Sequence, residues 1–156
     1  MNIVFDWSGT LADDHIITWN ITNKILEDLT ARGIKNIILE ASSHGLKQHR
    51  LDGIKFDTGL FTNFSRDHLD YHKSFKDYFD SKMILFNKLM KKNSQVIYDR
   101  DILESKKIDK IIKRKKLKYY CLGKKKSDLK VTKHIYVGKK QKIVFVFKNQ
   151  KYNFES

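Results

Sequence analysis

The sequence predicts an α/β fold: a partial parallel sheet flanked by helices and closed by a small antiparallel sheet at the C-terminus. Three observations predict it. Short apolar runs rich in β-branched residues alternate with stretches of helical periodicity through most of the chain. Three strand-like segments separated by short turns then close it, the pattern of an antiparallel meander. Two polar blocks, residues 40–50 (EASSHGLKQHR) and 62–72 (TNFSRDHLDYH), each directly follow an apolar run. That is the layout of a ligand site at the carboxyl ends of parallel strands.

Residues 2–5 (NIVF) form the first strand candidate, and 6–14 (DWSGTLADD) a polar loop. Ile17, Ile21, Ile25 and Leu29 then recur at i, i+4 on one helical face, and Gly33 supplies a stop. Residues 34–39 (IKNIIL) read as a strand ending at Glu40. A second such strand, 58–62 (TGLFT), enters the second block. Ser74 with Asp77 makes a capping-box-like helix start, followed by Phe75, Tyr78, Phe79, Met83, Phe86, Leu89 and Met90 at helical spacing. Residues 95–98 (QVIY) are a strand, and 101–116 a basic amphipathic helix with Ile108, Ile111 and Ile112 inward. Residues 118–122 (KYYCL) are another strand. The meander takes 131–137, 142–147 and 151–154, with turns at 138–141 and 149–150.

Composition bounds the class. The chain has 156 residues, 40% of them hydrophobic, enough for one domain with a real core. One cysteine, Cys121, excludes an internal disulfide framework and fits a reducing compartment. No apolar run approaches the ~20 residues of a membrane span, and no secretory signal is visible. A soluble cytoplasmic protein without a membrane partner is expected. The net charge of +14 has two readings, a nucleic-acid surface or a lysine-covered one. The second is favoured, because most of the excess lies in residues 106–126 with no nucleic-acid-binding motif around it. No nucleic-acid partner is expected.

The two blocks carry the chemistry. Glu40, at a strand end, is a carboxylate able to reach a hard cation such as Mg²⁺. Ser42, Ser43, Gln48 and Arg50 supply neutral donors and a guanidinium fork suited to carboxylate or phosphate. His68 follows the second strand closely, so it can face the same cleft, and Lys82 lies on the next helix. Singly, each has an ordinary structural reading: a hydrogen-bonding His, a solvated Lys, a turn at Ser-Ser-His-Gly.

The joint pattern has a sharper one. Glu-Ala-Ser-Ser-His-Gly-Leu-x-Gln-x-Arg, then Thr-Asn-x-Ser-Arg-Asp-His-Leu-Asp-Tyr-His, then Lys82, closely resembles the central domain of the Mur ligase family. Within it the match is to the MurE type, from about Leu29 to the C-terminus. The resemblance implies that Glu40 and His68 are Mg²⁺ ligands. It implies that Lys82 is the lysine carbamylated by CO₂, becoming an anionic oxygen ligand, and that Lys82 and His68 are the catalytic pair. It implies that Ser42, Gln48 and Arg50 bind UDP-MurNAc-L-Ala-D-Glu. It further implies a bacterial cytoplasmic enzyme of peptidoglycan synthesis, with ATP as co-substrate. ATP phosphorylates the D-glutamate carboxylate, and the amine of meso-diaminopimelate or lysine attacks the acyl phosphate to form an amide. Mg²⁺ offsets charge on the transferring phosphoryl group.

The chain departs from that family in identifiable places. Only 39 residues precede Glu40, and they hold no Gly-rich GTxGKT loop; Gly9–Thr10 lacks the Gly-Lys-Thr that should follow. The upstream paired threonines are missing. Tyr98–Asp101 (YDRD) stands where the family has an Asn-x-Asp-Asp-like stretch near the nucleotide. Against the family pattern, these 156 residues are expected to lack the C-terminal domain that brings the amino acid. This chain alone is therefore expected not to complete the ligation. Residues 1–28 resemble the start of a haloacid dehalogenase-like phosphatase, with Asp6 as nucleophile but Ser8 where the second Asp of Asp-x-Asp-Gly-Thr belongs. A joined or misassembled gene, with its seam between Ile17 and Leu29, accounts for both resemblances: a foreign start over 1–28 and a partial central domain over 29–156. The alternatives are a phosphohydrolase using Asp6 and a basic nucleic-acid-binding module using residues 106–126.

Overall fold

Gly33 closes the first helix as its position in the sequence predicts. Helix α1 (His15–Ala31) ends with Gly33 at φ +76°, and its N–H donates to the Thr30 carbonyl at 2.9 Å. The Ile34 N–H donates to Leu29 at 3.0 Å. A left-handed residue with these back-bonds satisfies carbonyls that the helix end leaves open. The computed structural model describes residues 2–5, 15–62, 64, 71–124, 126–138 and 140–155, with side chains from residue 23 onward. The chain divides into two compact units, Met1–Phe56 with Arg66–Met90, and Asp57–Ser65 with Lys91–Ser156.

In the first unit, β1 (Asn2–Phe5) pairs in parallel with β2 (Asn36–Leu39), from Asn2 opposite Asn36 to Phe5 opposite Leu39. α1 is the crossover that parallel pairing requires. The first polar block then folds as a short helix, α2 (Ser43–Lys47). Helix α3 (Phe75–Ile84) starts at Ser74, whose Oγ accepts the Asp77 N–H at 3.1 Å. Asp77 reaches back to the Lys73 N–H at 3.1 Å, one residue before the position a strict capping box uses. The helix widens into a π-type turn over Leu85–Leu89. Tyr78, Phe79, Met83, Phe86 and Leu89 are buried, the stripe that their spacing predicts. Leu46, Leu51 and Leu89 form an apolar cluster with Ala41, Ile54, Phe56, Ile84 and Leu85 packed against it.

The second unit rests on a six-stranded sheet in simple sequence order. Its strands are β3 (Phe56–Phe61), β4 (Met90–Asp99), β5 (Lys118–Leu122), β6 (Leu129–Val137), β7 (Lys140–Phe147) and β8 (Gln150–Glu155). β4 and β5 are parallel, with Gln95 opposite Lys118 and Asp99 opposite Leu122. Helix α4 (Ser105–Lys115) connects them and buries Ile108 and Ile112, while Ile111 is only half-buried. β6, β7 and β8 are antiparallel neighbours. They extend the parallel strands through a β5–β6 bridge at Leu122 and Leu129, so the small antiparallel sheet is continuous with the parallel one. Several boundaries differ from the sequence reading, the start of β4 and the last turn among them. β4 begins at Met90 rather than Gln95. The last turn is Lys148–Asn149, at φ +49° and +63°, where residues 149–150 were expected. Two positive φ values suit the right-handed twist of a two-residue hairpin.

Candidate functional site

Block 40–50 is built around a capped helix whose two ends meet. Ser42, in extended conformation, accepts the Gly45 N–H on its Oγ at 3.1 Å and so caps α2. The Arg50 N–H donates to the Gly45 carbonyl at 2.9 Å, bringing the chain after α2 back onto its first turn. Gly45 leaves room for this approach. A Cβ there would stand 3.2 Å from the Ser42 Oγ and 3.8 Å from the Arg50 Cδ. Ser42 and Arg50 are thus neighbours across a glycine. Gln48 ends the helix, and its Oε1 is buried with no hydrogen-bond partner among the described residues. A buried amide oxygen left unmatched costs about 1–3 kcal/mol, which a ligand donor can recover.

Lys82 sits in the last turn of α3, half-buried, with its Nζ 5.2 Å from the centre of the Tyr78 ring. Burial pulls its pKa below the ordinary lysine value, and the negative charge of Glu40 partly opposes that fall. Glu40, exposed just beyond β2, is therefore within electrostatic reach of Lys82. Two of the residues that the sequence singles out thus feel one another's charge. The donor chemistry fits a hard cation only conditionally. An ammonium repels Mg²⁺, whereas a carbamate at the same nitrogen would add anionic oxygens beside the Glu40 carboxylate. Among the described residues no three His, Cys, Asp or Glu side chains gather as a ligand set. His68 and Asp6 lie outside the described residues.

Sequence reasoning gave no role to the polar link between α2 and α3. His72 is 3% exposed and Ser43 2% exposed, and the His72 Nε2 lies 3.0 Å from the Ser43 Oγ. The His72 Nδ1 is 3.5 Å from the Asp77 Oδ2. That same oxygen accepts from the Lys47 Nζ at 2.6 Å. The Lys47 contact, seconded by the Lys73 N–H, holds the Asp77 carboxyl below its usual pKa against the pull of desolvation. Tyr71 lies over α2, its ring 3.8 Å from that of His44 and 5.4 Å from the Lys47 Nζ. The available signal was the Tyr-His pair closing the second block, two residues before the helix cap.

In the second unit, Tyr98–Asp101 is occupied by local structure. The buried Tyr98 hydroxyl donates to Asp109 and accepts from the Arg100 Nη2, and burial with Asp109 raises its pKa. Asp99 accepts the Asp101 N–H at 2.8 Å, and Asp101 accepts the Lys124 N–H at 2.8 Å. The basic helix α4 borders a groove of about 390 Å³ lined by Arg100, Asp109, Ile112, Lys113, Lys116, Leu117 and Tyr119. Asp109 interrupts its positive charge.

The chain matches the Mur ligase middle domain over residues 18–156. It is 40% identical over 133 residues to the UDP-N-acetylmuramoyl-L-alanyl-D-glutamate--2,6-diaminopimelate ligase of Rickettsia bellii (strain RML369-C), covering 85% of this chain and 28% of that protein. The ligase of the same name from Geobacter metallireducens is 49% identical over 67 residues, 43% of this chain and 13% of its own length. Among solved structures, a UDP-N-acetylmuramoyl-L-alanyl-D-glutamate--2,6-diaminopimelate ligase superposes with a TM-score of 0.77 at 26% identity, over 87% of this chain and 28% of that one. A MurF ligase from Thermotoga maritima in complex with ADP shares the fold, with a TM-score of 0.64 at 16% identity over 77% of this chain and 27% of its own. The chain thus spans less than a third of the length of these proteins. With a match over residues 18–156, it belongs to the Mur ligase family through the middle domain.

Proposed function

We propose that this chain is the metal- and sugar-nucleotide-binding part of an ATP-dependent ligase that joins a diamino acid to UDP-MurNAc-L-Ala-D-Glu. The observation that carries the reading is the gathering of Glu40, Ser42, Gln48, Arg50 and a partly buried Lys82 on one compact unit, with the chain at Arg50 folded back onto the helix that Ser42 caps. The relatives that match bear the name of a ligase for UDP-N-acetylmuramoyl-L-alanyl-D-glutamate and 2,6-diaminopimelate, which supports diaminopimelate as the amino acid.

Lys82 is the modified residue in this reading. CO₂ is attacked by a neutral amine. The Nζ lone pair forms a C–N bond, one C=O π pair moves to oxygen, and a proton leaves nitrogen to solvent. A lowered pKa enlarges the neutral fraction at any given pH and so favours this step. The resulting carbamate, Glu40 and His68 would hold Mg²⁺, which when bound offsets charge on a transferring phosphoryl group. Arg50 offers its fork to an anionic part of the sugar nucleotide, and the Gln48 Oε1 accepts from one of its N–H or O–H groups. The Ser42 Oγ, already the α2 cap, keeps donor capacity for the ligand through its hydroxyl proton. A separate origin for residues 1–28 belongs to the same reading. The family match begins at residue 18, which leaves residues 1–17 outside it.

Two measurements test the assignment. With ¹³C-bicarbonate, ¹³C NMR is expected to show one carbamate carbon that is lost in Lys82→Ala. By calorimetry, UDP-MurNAc-L-Ala-D-Glu should bind the unaltered chain and bind Arg50→Ala about tenfold more weakly. A carbamate signal that survives in Lys82→Ala, or no nucleotide binding at all, would overturn it.

A further inference from the structure

We infer that His72 is a positioning residue, an imidazole lock that fixes the nucleotide-binding helix α2 on the first turn of the Lys82 helix α3. This rests on the substrate reading above. Ser43 and Lys47 stand one helical turn apart on α2 and so point to the same side. Both contact the same short stretch of chain. The Ser43 Oγ meets the His72 Nε2 at 3.0 Å, and the Lys47 Nζ meets the Asp77 Oδ2 at 2.6 Å. The His72 Nδ1 faces that same Asp77 oxygen at 3.5 Å, an electrostatic approach without a hydrogen bond. The hydrogen bond between Nε2 and the Ser43 hydroxyl runs in the direction that the imidazole tautomer sets. The ring is wedged between Tyr71 and Tyr78, at centroid distances of 5.0 and 5.1 Å.

Adhesion alone does not require this arrangement. Leu46 and Leu51 already join α2 and its exit to Leu89 and Ile84 through an apolar cluster. Apolar contact is non-directional and tolerates sliding. A buried Ser43–His72 hydrogen bond costs desolvation that an apolar filler would avoid, and together with the partly exposed Lys47–Asp77 pair it is met in only one relative position of α2 and α3. What it fixes is specific. Gln48 and Arg50 follow directly from Lys47, and Lys82 lies five residues beyond Asp77. The lock sets the distance between the sugar-nucleotide contacts and the metal-side lysine. Ser43 is buried, so its hydroxyl is a strut and not a nucleophile.

The experiment uses the 156-residue chain and UDP-MurNAc-L-Ala-D-Glu as the probe. Calorimetric affinity and amide hydrogen exchange over residues 43–50 are compared in the unaltered protein, His72→Ala, His72→Gln, Ser43→Ala and Leu89→Ala. The glutamine reaches Ser43 as the Nε2 of histidine does. Leu89→Ala removes adhesion without touching the lock. The expected result is an affinity loss of about tenfold or more in His72→Ala, partly restored in His72→Gln, with faster exchange over 43–50. Leu89→Ala, though less stable to heat, should keep nearly full affinity. His72→Ala binding as tightly as the unaltered chain, or no more weakly than Leu89→Ala, would overturn the lock while leaving the nucleotide site standing. Failure of the unaltered chain to bind would instead sink the site reading, and this role with it. If His72→Ala does not fold, Ser43→Ala decides by the same criteria.

Discussion

The first unit hides polar groups, whereas the second displays apolar ones. Of the four buried polar side chains among the described residues, Ser43, His72 and Ser81 lie in the first unit and only Ser94 in the second. The β6–β8 meander does the reverse. Tyr136 is 74% exposed, Val131, Val137 and Phe154 are more than half exposed, and β8 is exposed along its whole length. The difference teaches where position matters. In the meander the short turns fix the register of the strands, so their exposed side chains need not specify it. A five-residue helix such as α2 has almost no cooperative stability of its own. Its place must come from a cap, an apolar cluster and a polar lock.

The largest expected effect sharpens this contrast. Phe86→Ala opens a cavity at a fully buried site of the first unit and should cost about 3–5 kcal/mol in urea denaturation. Phe154→Ser on β8 should stay within about 0.5 kcal/mol. Equal losses would break the comparison. Next in size, Ser42→Ala removes the α2 cap and should cost about 1 kcal/mol in the same assay, with no ligand present. A smaller gain, about 0.5 kcal/mol, is expected from Lys148→Asn, because asparagine tolerates the left-handed conformation that lysine holds there at strain. An unchanged urea midpoint would show that the turn stores no strain.

The smallest effect is acid-dependent. The folded pKa of Asp77 lies below its ordinary 3.8, chiefly through Lys47. The unfolded chain therefore binds the proton first. The stabilisation is complete above pH 3.8 and disappears as pH falls through the lower, folded value. Acid unfolding of Asp77→Asn, followed by circular dichroism, should run flatter in that window than the unaltered chain. Superimposable slopes would remove Asp77 from the acid response.

Much of this was legible in the sequence because it is local. Gly33 stops α1, Ser74 starts α3, and the apolar spacing from Phe75 to Leu89 becomes its buried face, each set by neighbours within a few residues. The two polar blocks point to the family for the same reason, as ungapped strings of chemistry. Tertiary structure alone decided which of those side chains are spent internally. Tyr98 is bound to Asp109 on the following helix, and the meander continues the parallel sheet. Ser43 finds His72 across 29 residues, and Lys47 finds Asp77 across 30. Such pairs exist only after loop closure has brought α2 against α3, a cost met by burial of the whole cluster, and no periodicity along the chain announces them.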